Sequence, residues 1–225
     1  MAEQSWPRPT NSLWSGLSIL LIIGLVTQLA LAAASSQELW TGVLTPEALE
    51  DPNVILVGLV ALLFLVIWAL VFLLCVVYTC RITFRMMKNL EALDAPGMRT
   101  SPTMAVVWYF IPIANLYLPF RAFKQIWDGT FSLTSEPAPG DGVALAWWIT
   151  WVLSNITGSI SFRMSLQAGG MNEIGPSNPE LYLSSLWVGL ASSLLGAISC
   201  WFMLKSFGPV SRAQDALIAA RGPSA

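Results

Sequence analysis

The sequence predicts an all-α integral membrane protein with four transmembrane helices and a proline-broken helical segment that is re-entrant or interfacial. Three observations predict it. Charged residues make up 11% of the 225 and hydrophobic residues 55%, against roughly 25% charged in ordinary soluble domains. So thin a charged shell cannot cover that much apolar surface in water. Four apolar runs, near 13–34, 54–80, 143–163 and 181–204, charged only at Arg163 where the third one ends, each approach or exceed the ~20 residues that cross a hydrocarbon core. A fifth apolar stretch is interrupted twice, by Pro112 and Pro119.

The first run, Leu13 to Ala34, is just long enough to span. Ala30, Ala32 and Ala34 also offer the small-residue spacing of a cleaved signal peptide. The single Arg8 ahead of the run and the run's length favour a retained span, preceded by a cytoplasmic segment, 1–12. An acidic loop follows. Thr45-Pro46-Glu47 reads there as an N-cap, a proline at N1 and an acid near the positive helix end, which predicts a short surface helix from Pro46 to Glu50.

The second run starts at Val54, with Asp51 or Asn53 able to cap it. Its helical pattern continues beyond the apolar part through Arg81, Arg85 and Lys88, cations spaced four and three apart on one helix face. Ala95-Pro96-Gly97 stops it. Ser101-Pro102 restarts a helix by cap and N1-proline logic, and the broken segment, 102–131, follows. Its second part is amphipathic: Phe120, Phe123, Ile126 and Trp127 lie toward one face, and Arg121, Lys124 and Asp128 toward the other. The third run opens with Trp147, Trp148 and Trp151, placed as an interfacial aromatic belt would be, and Arg163 at its far end is positioned to snorkel. Asn178-Pro179-Glu180 repeats the cap pattern before the fourth run. After Gly208-Pro209 a short, weakly amphipathic tail is expected. Residues 13–205 are thus read as one membrane domain and 206–225 as a cytoplasmic tail.

Charge sets the orientation. With four spans and both termini cytoplasmic, ten of the eleven Lys and Arg residues fall inside, Arg163 being the exception, as the positive-inside rule requires. Counting Met104–Phe120 as a fifth span inverts everything after it and spoils that partition.

There is no histidine, which removes the commonest metal ligand and general base. Cys75, Cys80 and Cys200 lack zinc or redox spacing and read as small packing residues. No metal, cofactor or catalytic residue is expected, and nothing suggests nucleic-acid binding. Asn155-Ile156-Thr157 matches a glycosylation sequon, but inside a spanning run it is out of reach.

The broken segment carries most of the remaining information. Pro112 has no N–H and leaves the carbonyl of Trp108 without its helical donor. In a membrane such groups must be met by protein or water, and Asn115 is the nearby candidate partner. Trp108, Pro112, Asn115 and Pro119 therefore either line a small cavity or form a turn that lets the chain dip and return. Arg81, Arg85, Lys88, Arg121 and Lys124 are candidates for anionic lipid head groups, or are ordinary positive-inside charge. Gly189, Ser193 and Ala197, then Ser192, Gly196 and Cys200, recur at four-residue spacing, as do Ser154 and Gly158. Such stripes let helices approach closely, within the chain or across to a partner.

Pro102 with Val106-Val-Trp-Tyr-Phe-Ile-Pro-Ile-Ala-Asn-Leu, followed by Pro119-Phe120 and Ile126-Trp127, resembles the bacterial membrane family catalogued as domain of unknown function 4328. The basic helix end (Arg81, Arg85, Asn89, Leu93) and Trp147-Trp148-x-x-Trp151 fit the same pattern, which covers roughly residues 55–205. The loop at 35–53 and the tail after Lys205 lie outside it. The resemblance implies a bacterial inner-membrane location and supplies no activity. The expectation is a non-catalytic accessory or scaffolding subunit, in contact with the lipid bilayer and with other membrane subunits through its small-residue faces. The alternative is a small-solute or lipid transporter or channel with the Pro112–Pro119 break lining the path.

Overall fold

The computed structural model describes residues 7–41, 52–135, 140, 142–169 and 176–221. Among them all regular structure is helical. Helix α1 runs Asn11–Thr41, α2 Pro52–Ala92, α3 Pro102–Val107, α4 Leu118–Ser132, α5 Gly142–Gln167 and α6 Pro179–Arg221. Two 3₁₀ turns, Trp108–Phe110 and Ala114–Leu116, lie between α3 and α4. Four helices, α1, α2, α5 and α6, are long and apolar enough to cross a membrane, and they contain the four apolar runs. Each extends past the apolar run that predicts it. At 1.5 Å per residue, the 41 residues of α2 and the 43 of α6 reach roughly 60 Å, about twice a hydrocarbon core.

Local chemistry sets several of the boundaries. Ser101 is extended, and its hydroxyl accepts the Met104 N–H at 3.3 Å, with Pro102 at the first helical position. The Asn178 side chain accepts the Leu181 N–H at 3.1 Å ahead of α6, and Glu180 stands in the first turn. At the end of α2, the Ala95 N–H reaches the Leu90 carbonyl and the Asp94 N–H reaches that of Glu91. Asp94 turns left-handed, φ 53°. This is a Schellman closure with an aspartate where glycine is usual. The expected helix at Pro46–Glu50, its Thr45 cap and the Asp51 cap lie outside the described residues. Asn53 lies inside α2.

Two expectations are corrected. The tail after Gly208-Pro209 is not separate: α6 continues through Pro209 to Arg221. An internal proline costs a helix ~3 kcal/mol, but the last turns are held from outside. Val210 and Gln214 are fully buried, and the Arg221 guanidinium donates to the Leu93 carbonyl at 3.2 Å. Trp147 and Trp148 do not form an exposed belt either: they are 3% and 4% exposed. Their indoles pack on one another, and Trp147 packs edge-on against Phe123 and Phe207.

Neither helix of the broken segment is long enough to cross a membrane. Its α3 has six residues, and α4 is an amphipathic helix of 15.

The chain forms two compact units. One comprises Met1–Leu21, Leu73–Trp148 and Phe202–Ala225. Its core holds Ile82, Met86, Met87 and Leu90 of α2, Phe123 and Ile126 of α4, and Phe207 of α6, all fully buried. Phe123 and Phe207 stack at 4.3 Å between ring centres, a geometry worth about 0.5–1.5 kcal/mol beyond area burial.

The other unit comprises Ile22–Phe72 and Ile149–Trp201. Here α5 and α6 approach through small residues. Ser154 Oγ donates to the Ser192 carbonyl at 3.0 Å, and Ser192 Oγ returns the bond to the Ser154 carbonyl at 2.9 Å. A methyl group added at Gly158 would lie 2.9 Å from Ser192 Oγ, and one at Gly189 3.0 Å from Ser161 Oγ. Helix α2 contributes to this unit mainly through Phe64, Ile67, Trp68 and Val71. Its remaining described positions are largely exposed: Leu56 60%, Leu59 59%, Leu63 58% and Leu70 57%.

Candidate functional site

Two polar features distinguish the unit that contains the break. The first centres on Asn89, fully buried on α2. Its side-chain oxygen accepts the Arg8 N–H at 2.8 Å, and its amide donates to the Arg8 carbonyl at 2.9 Å. One side chain thus meets both backbone groups of a single residue, as a neighbouring strand would. The Asn89 amide also reaches Gln214 Oε1 at 3.2 Å. Gln214 Nε2 in turn donates to Thr130 Oγ1 at 3.0 Å and to the Met86 carbonyl at 3.3 Å. Beside this, Asp215 accepts from the Thr10 N–H and hydroxyl, at 2.6 and 3.0 Å. The Arg85 guanidinium donates to the Pro9 carbonyl at 2.9 Å. Residues 8–10 are a strap fastened by side chains of α2 and α6.

The second feature is the break itself. Helix α3 ends at Val107, Trp108–Phe110 tightens into a 3₁₀ turn, and Ile111 is extended, φ −96° and ψ 114°. The residue before a proline is sterically driven to this conformation. The Asn115 N–H then bonds the Ile111 carbonyl at 2.7 Å, and the Tyr117 N–H that of Ala114 at 3.1 Å. The indole of Trp148 donates to the Leu116 carbonyl at 3.0 Å. That tryptophan, rather than Asn115, supplies the side-chain donor seen here. Asn115 Oδ1 is buried without a partner among the described residues. So are the hydroxyls of Tyr109 and Thr83, which lie beside one another without completing a well-formed bond.

The tip of the break faces outward. Ile113 is 86% exposed and Phe110 65%, and Pro112 is exposed, while Pro119 is buried at the start of α4 and Trp108 is half-buried. The break therefore presents apolar side chains on its outside and keeps its unmet polar atoms on its inside. In the other unit an open apolar groove of about 390 Å³ runs past Ala30, Ala34, Gln37, Leu56 and Phe64.

The five candidate head-group cations fare unequally. Lys88 pairs with Glu91 at 3.0 Å and Lys124 with Asp128 at 2.6 Å, and Arg85 holds the strap. Arg81 and Arg121 are exposed and have no acidic partner among the described residues. The small-residue candidates Ser154, Gly158, Gly189, Ser192 and Gly196 face other parts of this chain. A methyl group at Gly196 would lie 2.6 Å from the Gln28 amide. Ala197 is buried at 6% exposure, and Ser193 is half-buried. Gln28 and Asn155, the other polar groups of the apolar runs, sit respectively against Gly196 and on the Trp151 carbonyl at 2.7 Å.

Sequence reasoning missed Gln214, Thr130 and the strap. The available signal was the spacing of Val210, Gln214 and Leu217, which places the amide on an apolar helix face. Asn89 was visible only as part of a motif. No group of three or more His, Cys, Asp or Glu residues is arranged to hold a metal among the described residues.

No curated protein and no solved structure matches this chain. The family described as Domain of unknown function (DUF4328) matches residues 41–198. The match begins earlier than the motifs alone suggest, so part of the acidic loop falls within it. It takes in Asn89, the break and the Trp147–Trp148 pair. Covering well over half of the chain, it shows that this protein belongs to the DUF4328 family.

Proposed function

We propose that this chain is a multi-pass protein of the bacterial cytoplasmic membrane, both termini inside, acting as a non-catalytic accessory or scaffolding subunit. The observation that carries the reading is the one-sided seating of α2. Between Ile55 and Phe72 it touches its own unit along a single seam and leaves a Leu- and Val-rich remainder of its described positions exposed. The small-residue stripes support less than they promised, because they pack α5 on α6 within the chain. The outer face of α2 is then the surface available to another membrane helix.

Photo-crosslinking residues placed at Leu59, Leu63 and Leu70 in the native membrane test this. The expected result is a discrete adduct with a second membrane protein, which also travels with the chain on native gels after gentle detergent extraction. Adducts with lipid alone, together with a free monomer, overturn it.

One observation favours transport instead: Thr83, Tyr109 and Asn115 bury polar atoms that no described residue satisfies. On that reading Asn115→Leu abolishes a solute flux without lowering expression, and an unchanged flux removes it.

A further inference from the structure

We infer that the tip of the break, from Phe110 to Tyr117, is a wedge that enters the acyl region of the cytoplasmic leaflet, with Arg121 holding an anionic lipid head group beside it. This rests on the proposed membrane topology and adds to it a lipid class and the residue that recognises it.

Four observations converge. The wedge is apolar and outward: Phe110, Ile111, Ile113, Leu116 and Tyr117 are between 43% and 86% exposed. No helix in the segment is long enough to carry these side chains across a bilayer, so they enter from one side and return. Several backbone groups that lipid could not meet are met locally. Asn115, Leu116 and Tyr117 each donate to a carbonyl inside the turn, and the Leu116 carbonyl takes the Trp148 indole. Backbone entering hydrocarbon has this requirement, and a water-exposed loop does not.

The fourth observation is charge. Of the five candidate cations, Lys88, Lys124 and Arg85 are engaged within the chain. Arg81 and Arg121 are the two left over, and Arg121 adjoins the wedge. Arg121 sits one turn after Tyr117, its N–H bonded to the Tyr117 carbonyl at 3.1 Å. A guanidinium binds a phosphate through two parallel N–H donors. Tyr117, with its ring exposed and a polar tip, suits the boundary between the two regions.

The test uses the full chain with Cys75, Cys80 and Cys200 replaced by alanine and a fluorophore on Ile113→Cys. It is reconstituted in vesicles of phosphatidylcholine with or without phosphatidylglycerol. The same label on Ile156→Cys, an exposed position of α5, reports whether the spans themselves are inserted. The Ile113 label is expected to be quenched by lipids spin-labelled high on the acyl chain and shielded from aqueous iodide. Brominated phosphatidylglycerol is expected to quench it in preference to brominated phosphatidylcholine. That preference falls roughly five-fold for Arg121→Gln, is unchanged for Arg81→Gln, and is only partly kept by Arg121→Lys, which retains the charge but not the paired donors.

An Ile113 label open to iodide, with the Ile156 label shielded, overturns the wedge and leaves the membrane topology standing. A label shielded from both quenchers means a protein covers the tip and also overturns it. Equal quenching by the two brominated lipids, unchanged in Arg121→Gln, overturns the head-group assignment. An Ile156 label open to iodide overturns the topology itself.

Discussion

The polar groups buried around Asn89 and those buried beside Pro112 belong to the same unit and have opposite fates. Around Asn89 every donor and acceptor described above finds a partner, and the partners come from four separate stretches of chain: the strap, α2, α4 and α6. Beside Pro112, three polar atoms are buried and unmet. A satisfied network fixes one arrangement, whereas an unmet polar group is a standing cost kept for a reason outside folding. The Asn89 network is therefore the part of this unit that makes it rigid, and the break is the part with something left to bind.

Substitutions can break or sharpen that contrast. The largest effect is expected from Asn89→Leu, which orphans both Arg8 backbone groups and Gln214. At about 1–3 kcal/mol for each buried group left unmet, the loss is at least about 3 kcal/mol. It is read as a lower midpoint of thermal unfolding in detergent and as a strap that becomes open to proteolysis. The opposite sign is expected at the break. The double variant Thr83→Val with Tyr109→Phe removes two hydroxyls that meet only each other, short of a well-formed bond, so stability is unchanged or rises by up to about 1 kcal/mol. A clear loss in that variant would mean the hydroxyls are met in the membrane, and the contrast would fail. The smallest effect is expected from Ser192→Ala. It removes one of two reciprocal serine bonds between α5 and α6 and costs about 0.6 kcal/mol, the usual worth of such a bond in lipid, measured against wild type in the same unfolding assay.

Much of this architecture was legible in the residues, wherever local chemistry decides. The four apolar runs are the four long helices. Ser101 and Asn178 cap where a short polar side chain before a proline should. The amphipathic stretch buries Phe123, Ile126 and Trp127 and leaves Arg121 and Asp128 outside. What stayed hidden depends on partners distant in sequence. Pro209 looked like a stop because its cost is local and its compensation, Gln214 on Asn89 and Thr130, comes from residues 125 and 84 positions away. Trp147 and Trp148 looked like a belt because a tryptophan pair at the end of an apolar run has the same composition whether it faces lipid or Phe123. At the break, the prolines announced the kink. They could not show that Trp148 would supply the donor, or that Asn115 would be left with an unmet oxygen.

The reach of the Asn89 network also has a consequence for biosynthesis. Asn89 is translated 125 residues before Gln214. At roughly 5–20 residues per second, that is a wait of roughly 6–25 s with a buried-type amide and the Arg8 backbone still looking for their last partner. A ribosome that stops within α6, after Leu204 and before Gln214, releases a chain whose hydrophobic runs are complete but whose polar knot cannot close. Closure of the network thus waits on the last turns of α6, where Gln214 meets Asn89, Met86 and Thr130.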